Sequence, residues 1–167
     1  MIFPSSADGR PLTADGRSKP MARILAIDFG ERRIGLAISD PLGITAQGLP
    51  TIDTRKTKDV FSHIKNLITE KRVVKVVVGM PRNMNGSIGF KGEEVKKFIG
   101  KLTQRTGVEV IDWDERLTSV QSLRSMREMG TKQRKKEVKD RISATLILQS
   151  YLDSLSENEK DSLTDEI

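Results

Sequence analysis

The chain has 167 residues, no cysteine, 4% aromatic residues and a net charge of +6. This length suits one domain with a core of Val, Ile, Leu and Met, and is too short for two large lobes. The lack of cysteine excludes disulfides and thiolate metal sites and points to a reducing, cytoplasmic setting. The apolar runs are short and interrupted, so no membrane span is expected, and the N-terminus lacks the apolar stretch of a signal peptide.

The charge is unevenly spread. Residues 1–20 carry +1 and residues 156–167 carry −4, which leaves +9 on residues 21–155. A basic domain with an acidic tail suits a polyanionic partner. Residues 1–20 are rich in Pro, Ser and Gly, contain ADGR twice, and follow no helix or strand period. They read as a disordered arm or an added leader, with Met21 as the natural start. Residues 156–167 read as a solvated tail, and residues 21–155 as the single folded domain.

Within that domain, residues 24–29 and 34–39 are short apolar runs that predict two strands joined by a hairpin. Residues 43–52 predict a third strand, ending near Pro50. Val60, Phe61, Ile64, Leu67 and Ile68 share one face of a helix. VVKVVVG (73–79) is β-branched on both faces, as a strand covered on both sides should be. A loop rich in Asn, Gly and Pro follows. Val95, Phe98, Ile99 and Leu102 mark a second helix, stopped by Gly107. VEVIDW (108–113) predicts a further strand. Thr118 with Gln121 forms a capping-box signal for a helix reaching Gly130. A last helix is expected over residues 135–155. The order β-β-β-α-β-α-β-α-α predicts an α/β fold, with a mixed five-stranded sheet of a three-strand antiparallel meander plus two parallel strands, and helices on both faces.

Three carboxylates stand where open α/β folds gather site residues, at strand ends and helix starts. Asp28 lies near the end of the first strand, Glu115 follows the 108–113 strand, and Asp140 lies near the start of the last helix. Asp112 and Asp114 compete with Glu115 on spacing alone. Asp140, Ala144, Ile147 and Tyr151 share a largely apolar helix face, which points Asp140 inward. Carboxylates gathered together repel one another unless cations intervene, and oxygen-only ligands favour Mg²⁺ or Mn²⁺. Two such ions about 3.5–4 Å apart activate water and stabilise the leaving oxygen of a phosphodiester. The loop GMPRNMNG (79–86) brings Arg82, Asn83 and Asn85 within reach of phosphate or sugar. The run KQRKKEVK (132–139) sets Lys132, Arg134, Lys135 and Lys136 beside Asp140 as further phosphate contacts. Arg32, Arg33 and Arg116 flank the first two carboxylates. His63, the one histidine, reads as a surface residue, so neither a histidine base nor a zinc site is expected.

DFGERRIGLAISD, VVVGMPRNMNG, DERLTS and KD-x-x-SA-x-LILQSYL, in this order and spacing, resemble the YqgF/RuvX family across about residues 22–155. That resemblance implies a ribonuclease H-like fold, close to that of the Holliday-junction resolvase RuvC. It implies an acidic triad of Asp28, Glu115 and Asp140 acting as ligands for two Mg²⁺ or Mn²⁺ ions. It also implies a nuclease, either one maturing the 5′ end of pre-16S ribosomal RNA or a resolvase of branched DNA. A non-catalytic nucleic-acid module is the remaining possibility, and the chain could act as a monomer or a homodimer. Ser143 departs from the small alanine usual there. Sugar-kinase and actin-type ATPases also open with Asp-x-Gly after a first strand, but they need a second lobe and a glycine-rich phosphate loop that this sequence lacks.

Overall fold

The computed structural model describes residues 22–118 and 133–155, and within the last helix the side chains of Lys139 and of residue 141 onward. The expected arm, the acidic tail, the helix anticipated between Thr118 and Gly130, and Lys132 lie outside the described residues. Five strands form one sheet: β1 (Arg23–Asp28), β2 (Arg33–Ser39), β3 (Ala46–Asp53), β4 (Val73–Met80) and β5 (Glu109–Asp114). Their order is β3-β2-β1-β4-β5. β1–β2 and β2–β3 are antiparallel, whereas β1–β4 and β4–β5 are parallel. Among the described residues three α-helices pack with this sheet: α1 (Val60–Lys71), α2 (Phe90–Thr106) and α3 (Gln133–Ser154). The result is the expected mixed sheet, an antiparallel meander extended by two parallel strands, with helices on both faces.

The central strands bury both faces because both carry apolar residues. Leu25 and Ile27 of β1 join Val76, Val78 and Met80 of β4 in a core against Ile64 of α1 and Val95, Phe98 and Leu102 of α2. Ile24, Ala26, Ala37 and Val77 face the other way, against Ala144, Ile147, Leu148, Tyr151 and Leu152 of α3. Alternation with period two assigns each strand residue to one layer or the other.

The third strand departs from its expected bounds. It begins at Ala46 rather than Gly43, because the Asp40 carboxylate accepts from the backbone N–H of Ile44 (2.7 Å) and Thr45 (2.8 Å) and closes residues 40–45 into a turn. It also runs through Pro50 to Asp53. The register passes from Ile34↔Ile52 to Leu36↔Leu49, so Pro50 and Thr51 together oppose Gly35 as a bulge. An edge strand tolerates proline there.

The helices have local reasons to start and stop. Asp59 caps α1, accepting from the backbone N–H of Phe61 and Ser62, from Ser62 Oγ (2.8 Å) and from Arg105 Nη2 (2.8 Å). Gly107, at φ 70°, ends α2 as expected. Leu148 is fully buried on α3, and Leu148→Ala should cost about 2–5 kcal/mol in denaturant unfolding. The hydrogen bond from Ser62, then the Arg105 contact, holds the Asp59 carboxyl at about 2, below the ordinary 3.8. A lowered folded-state value means that the cap's contribution is complete above pH 3.8 and lost as pH falls toward 2. Denaturant unfolding of Asp59→Asn should therefore show lower stability at neutral pH and a shallower decline between pH 4 and pH 2 than the unaltered chain.

Candidate active site

Asp28 is the last residue of β1 and is 4% exposed. Alternation sets it on the α3 side of the sheet, in line with Ile24 and Ala26. On one side it pairs with Gly35 of β2. On the other, the β1–β4 register ends at Ile27↔Val78, and its next step sets Gly79 beside Asp28, about 4.8 Å away. Both cross-strand neighbours of the carboxylate are thus glycines.

Gly79 pairs in turn with Trp113 of β5, whose side chain also packs on the α3 side. Two residues further, Glu115 opens a single 3-10 turn, Glu115–Leu117, and is 1% exposed. Its side chain lies across Gly79, since a Cβ on that glycine would meet Glu115 Oε1 at 2.8 Å. Parallel pairing of β1, β4 and β5 therefore brings Asp28 and Glu115 to the same edge and the same face of the sheet. Asp112 and Asp114, the competitors on spacing, occupy the opposite phase of the strand and are more exposed.

Helix α3 runs antiparallel to β4. Tyr151 meets Lys75 at the start of that strand, and Ile147 meets Gly79 near its end. The N-terminal half of α3 thus advances toward the Asp28 edge. Asp140 stands one turn before the buried Ala144 on the sheet-facing register of the helix. Only its backbone position is described, and among the described residues no three carboxylates form a cluster. Ser143, fully buried next to Ala144, donates to the Lys139 carbonyl at 2.9 Å, so its hydroxyl is satisfied within the helix.

The expected nucleic-acid contacts divide into two groups. Arg82 donates to the Gly86 carbonyl (3.1 Å) and lies 3.5 Å from Asp112. Arg116 grips Asp114 through Nε and Nη2, the shorter contact being 2.6 Å, and reaches the Met84 carbonyl at 3.4 Å. Asn83 donates to Ser87 Oγ, and Asn85 accepts from the Ser87 backbone and hydroxyl, so both fold their own loop. Arg32, by contrast, is exposed at the tip of the β1–β2 hairpin, and Arg33 begins β2. Arg134, Lys135 and Lys136 belong to the first turns of α3, and their side chains lie outside the described ones. His63 is exposed on α1, as expected.

A family model described as "RuvX: Holliday junction resolvase" matches residues 22–154. The chain belongs to the RuvX family. It is thereby a nuclease of that family. It is 53% identical over 135 residues to an Acetivibrio thermocellus protein named "Putative pre-16S rRNA nuclease", covering 79% of this chain and 96% of that one. A protein of the same name from Ruminiclostridium cellulolyticum is 46% identical over 140 residues, covering 83% and 99%. Among solved structures, RuvC of Thermus thermophilus aligns with a TM-score of 0.47 at 12% identity, covering 77% of this chain and 94% of that one.

Sequence reading of this RuvX member missed two features. Asp114 is the partner of Arg116, and it also caps the turn carrying Glu115 by accepting from the Arg116 backbone N–H at 2.9 Å. Asp-x-Arg two residues apart is a local signal for such a cap. Gly35 as a neighbour of Asp28 depends on hairpin register, which carries no local signal. Hydrogen bonds from Arg116 hold the Asp114 carboxyl below its ordinary value, against the opposing effect of burial. In Arg116→Ala the Asp114 titration, followed by NMR of its side-chain carboxyl carbon, should move back up. Cleavage should fall several-fold with little change in melting temperature, because an exposed ion pair adds little to global stability.

Proposed function

We propose that this chain is a divalent-metal-dependent nuclease that processes the 5′ end of pre-16S ribosomal RNA, with Asp28, Glu115 and Asp140 as metal ligands. The observation that carries the metal site is the convergence of two buried carboxylates, Asp28 and Glu115, on one face at one edge of the sheet. The donor set fits the group: oxygen ligands alone suit Mg²⁺ or Mn²⁺. When bound, such ions supply Lewis acidity toward water and phosphate oxygen. Asp28 is held rigidly by the strands on either side of it. Glu115 is held by the capped turn and the sheet beneath. Asp140 approaches from α3, one turn before the buried Ala144. Arg32, Arg33 and the basic run of Lys132, Arg134, Lys135 and Lys136 bind the phosphate backbone. Arg82, Asn83, Asn85 and Arg116 shape the rim through their bonds to Asp112, Ser87, Asp114 and the loop backbone, and present it to sugar and phosphate. No helix among the described residues is long and apolar enough to cross a membrane, and a cytoplasmic location accords with the absence of cysteine.

The choice of RNA rests on the names of the relatives at 53% and 46% identity. The family model's description supports a second reading, resolution of a four-way DNA junction. Cleavage of single-stranded precursor RNA, duplex RNA and a four-way DNA junction, with and without EDTA, separates the two. The expected result is Mg²⁺-dependent cutting of the precursor RNA, abolished in Asp28→Asn with the far-UV circular dichroism unchanged. Preference for the junction reverses the substrate assignment. Undiminished cutting in EDTA or in Asp28→Asn sinks the metal site.

A further inference from the structure

β4 reads VVKVVVGM with Gly79 as its one glycine, and a glycine inside a strand weakens it. Backbone conformation does not require glycine here, because Gly79 is not among the residues with positive φ, which include Gly43, Gly86 and Gly107. Space does require it. A Cβ at Gly79 would stand 2.8 Å from Glu115 Oε1, 3.2 Å from Glu115 Cγ and 2.6 Å from Ile147 Cδ1, where ordinary contact is 3.4–4 Å. The volume that any other residue would fill is occupied by the Glu115 side chain and the tip of Ile147. The β1–β4 register, carried one step past Ile27↔Val78, sets Gly79 beside Asp28, so the Glu115 side chain lies over the strand position next to Asp28.

We infer that Gly79 is a positioning residue, which seats the Glu115 carboxylate beside Asp28 by leaving the sheet bare beneath it. This rests on the reading of Asp28 and Glu115 as metal ligands. A methyl group at this position meets side-chain atoms and no backbone, so the fold accommodates it while Glu115 is displaced. Ile147 relieves one contact by changing rotamer, but Glu115 yields only by moving its carboxylate off the sheet.

The test measures Mn²⁺ binding by calorimetry without nucleic acid, beside the Mg²⁺ concentration needed for half-maximal cleavage. In Gly79→Ala, Mn²⁺ affinity should fall by roughly ten- to a hundredfold, the usual range for loss of a ligand's support, and the Mg²⁺ requirement should rise in parallel. Adding Ile147→Val removes the Cδ1 contact, and should restore melting temperature but not Mn²⁺ affinity. Adding Glu115→Asp instead shortens the acid away from the new methyl, and should bind Mn²⁺ more tightly than Gly79→Ala alone. Wild-type affinity in Gly79→Ala, or full recovery on adding Ile147→Val, overturns the role of Gly79 and leaves the metal site standing. Absence of Mn²⁺ and Mg²⁺ binding in the unaltered chain overturns the metal site and this role with it.

Discussion

Parallel pairing is the constraint on which the rest depends. In β1, β4 and β5 it brings three carboxyl-terminal ends to one edge, so side chains distant in sequence meet there. Strand alternation then decides which of them share a face. Asp28 and Glu115 fall in the same phase as Ala26 and Trp113, whereas Asp112 and Asp114 fall in the other. A shift of one residue in either register would carry a carboxylate through the sheet to the α1–α2 layer. The extensive apolar burial of both layers forbids that slip, so the core and the site are specified by the same pairings.

Helix α3 is fixed against the sheet by polar contacts in its C-terminal half. Trp113 donates to Ser150 Oγ at 3.1 Å and meets Tyr151 edge to face at 5.3 Å. Lys75 donates to the Tyr151 hydroxyl, and Gln149 joins the backbone at Ile44 and Ala46. These polar ties set the axial position of a helix whose apolar face alone could slide by a turn. Axial position matters because Asp140 is carried on the same rod, and a one-turn slip would move it by about 5.4 Å.

Much of this was readable in the sequence because the physics was local. The apolar runs at 24–29, 34–39 and 73–79, and the helical stripe through Ile64 and Leu67, gave elements within a few residues of those observed. Ser143 proved compatible with a helix interior because its hydroxyl returns to the Lys139 carbonyl. β3 starts three residues after the expected Gly43 because Asp40 folds residues 40–45 into a turn and leaves Leu42 and Ile44 exposed. The glycines on either side of Asp28 were visible as residues, but their common purpose was not, since cross-strand neighbours are set by register and not by distance along the chain. Likewise Arg116 is next to Glu115 in sequence yet is committed to Asp114, because the turn directs adjacent side chains apart.

The bulge in β3 has a consequence for assembly. That strand forms one edge of the sheet, and Pro50 offers no backbone donor where Pro50 and Thr51 together oppose Gly35. The bulge breaks the regular hydrogen-bonding pattern of that edge, which disfavours extension of the sheet by strand addition from a second copy. A two-fold assembly making paired cuts would then join through surfaces other than β3, among which β5 forms the opposite edge of the sheet.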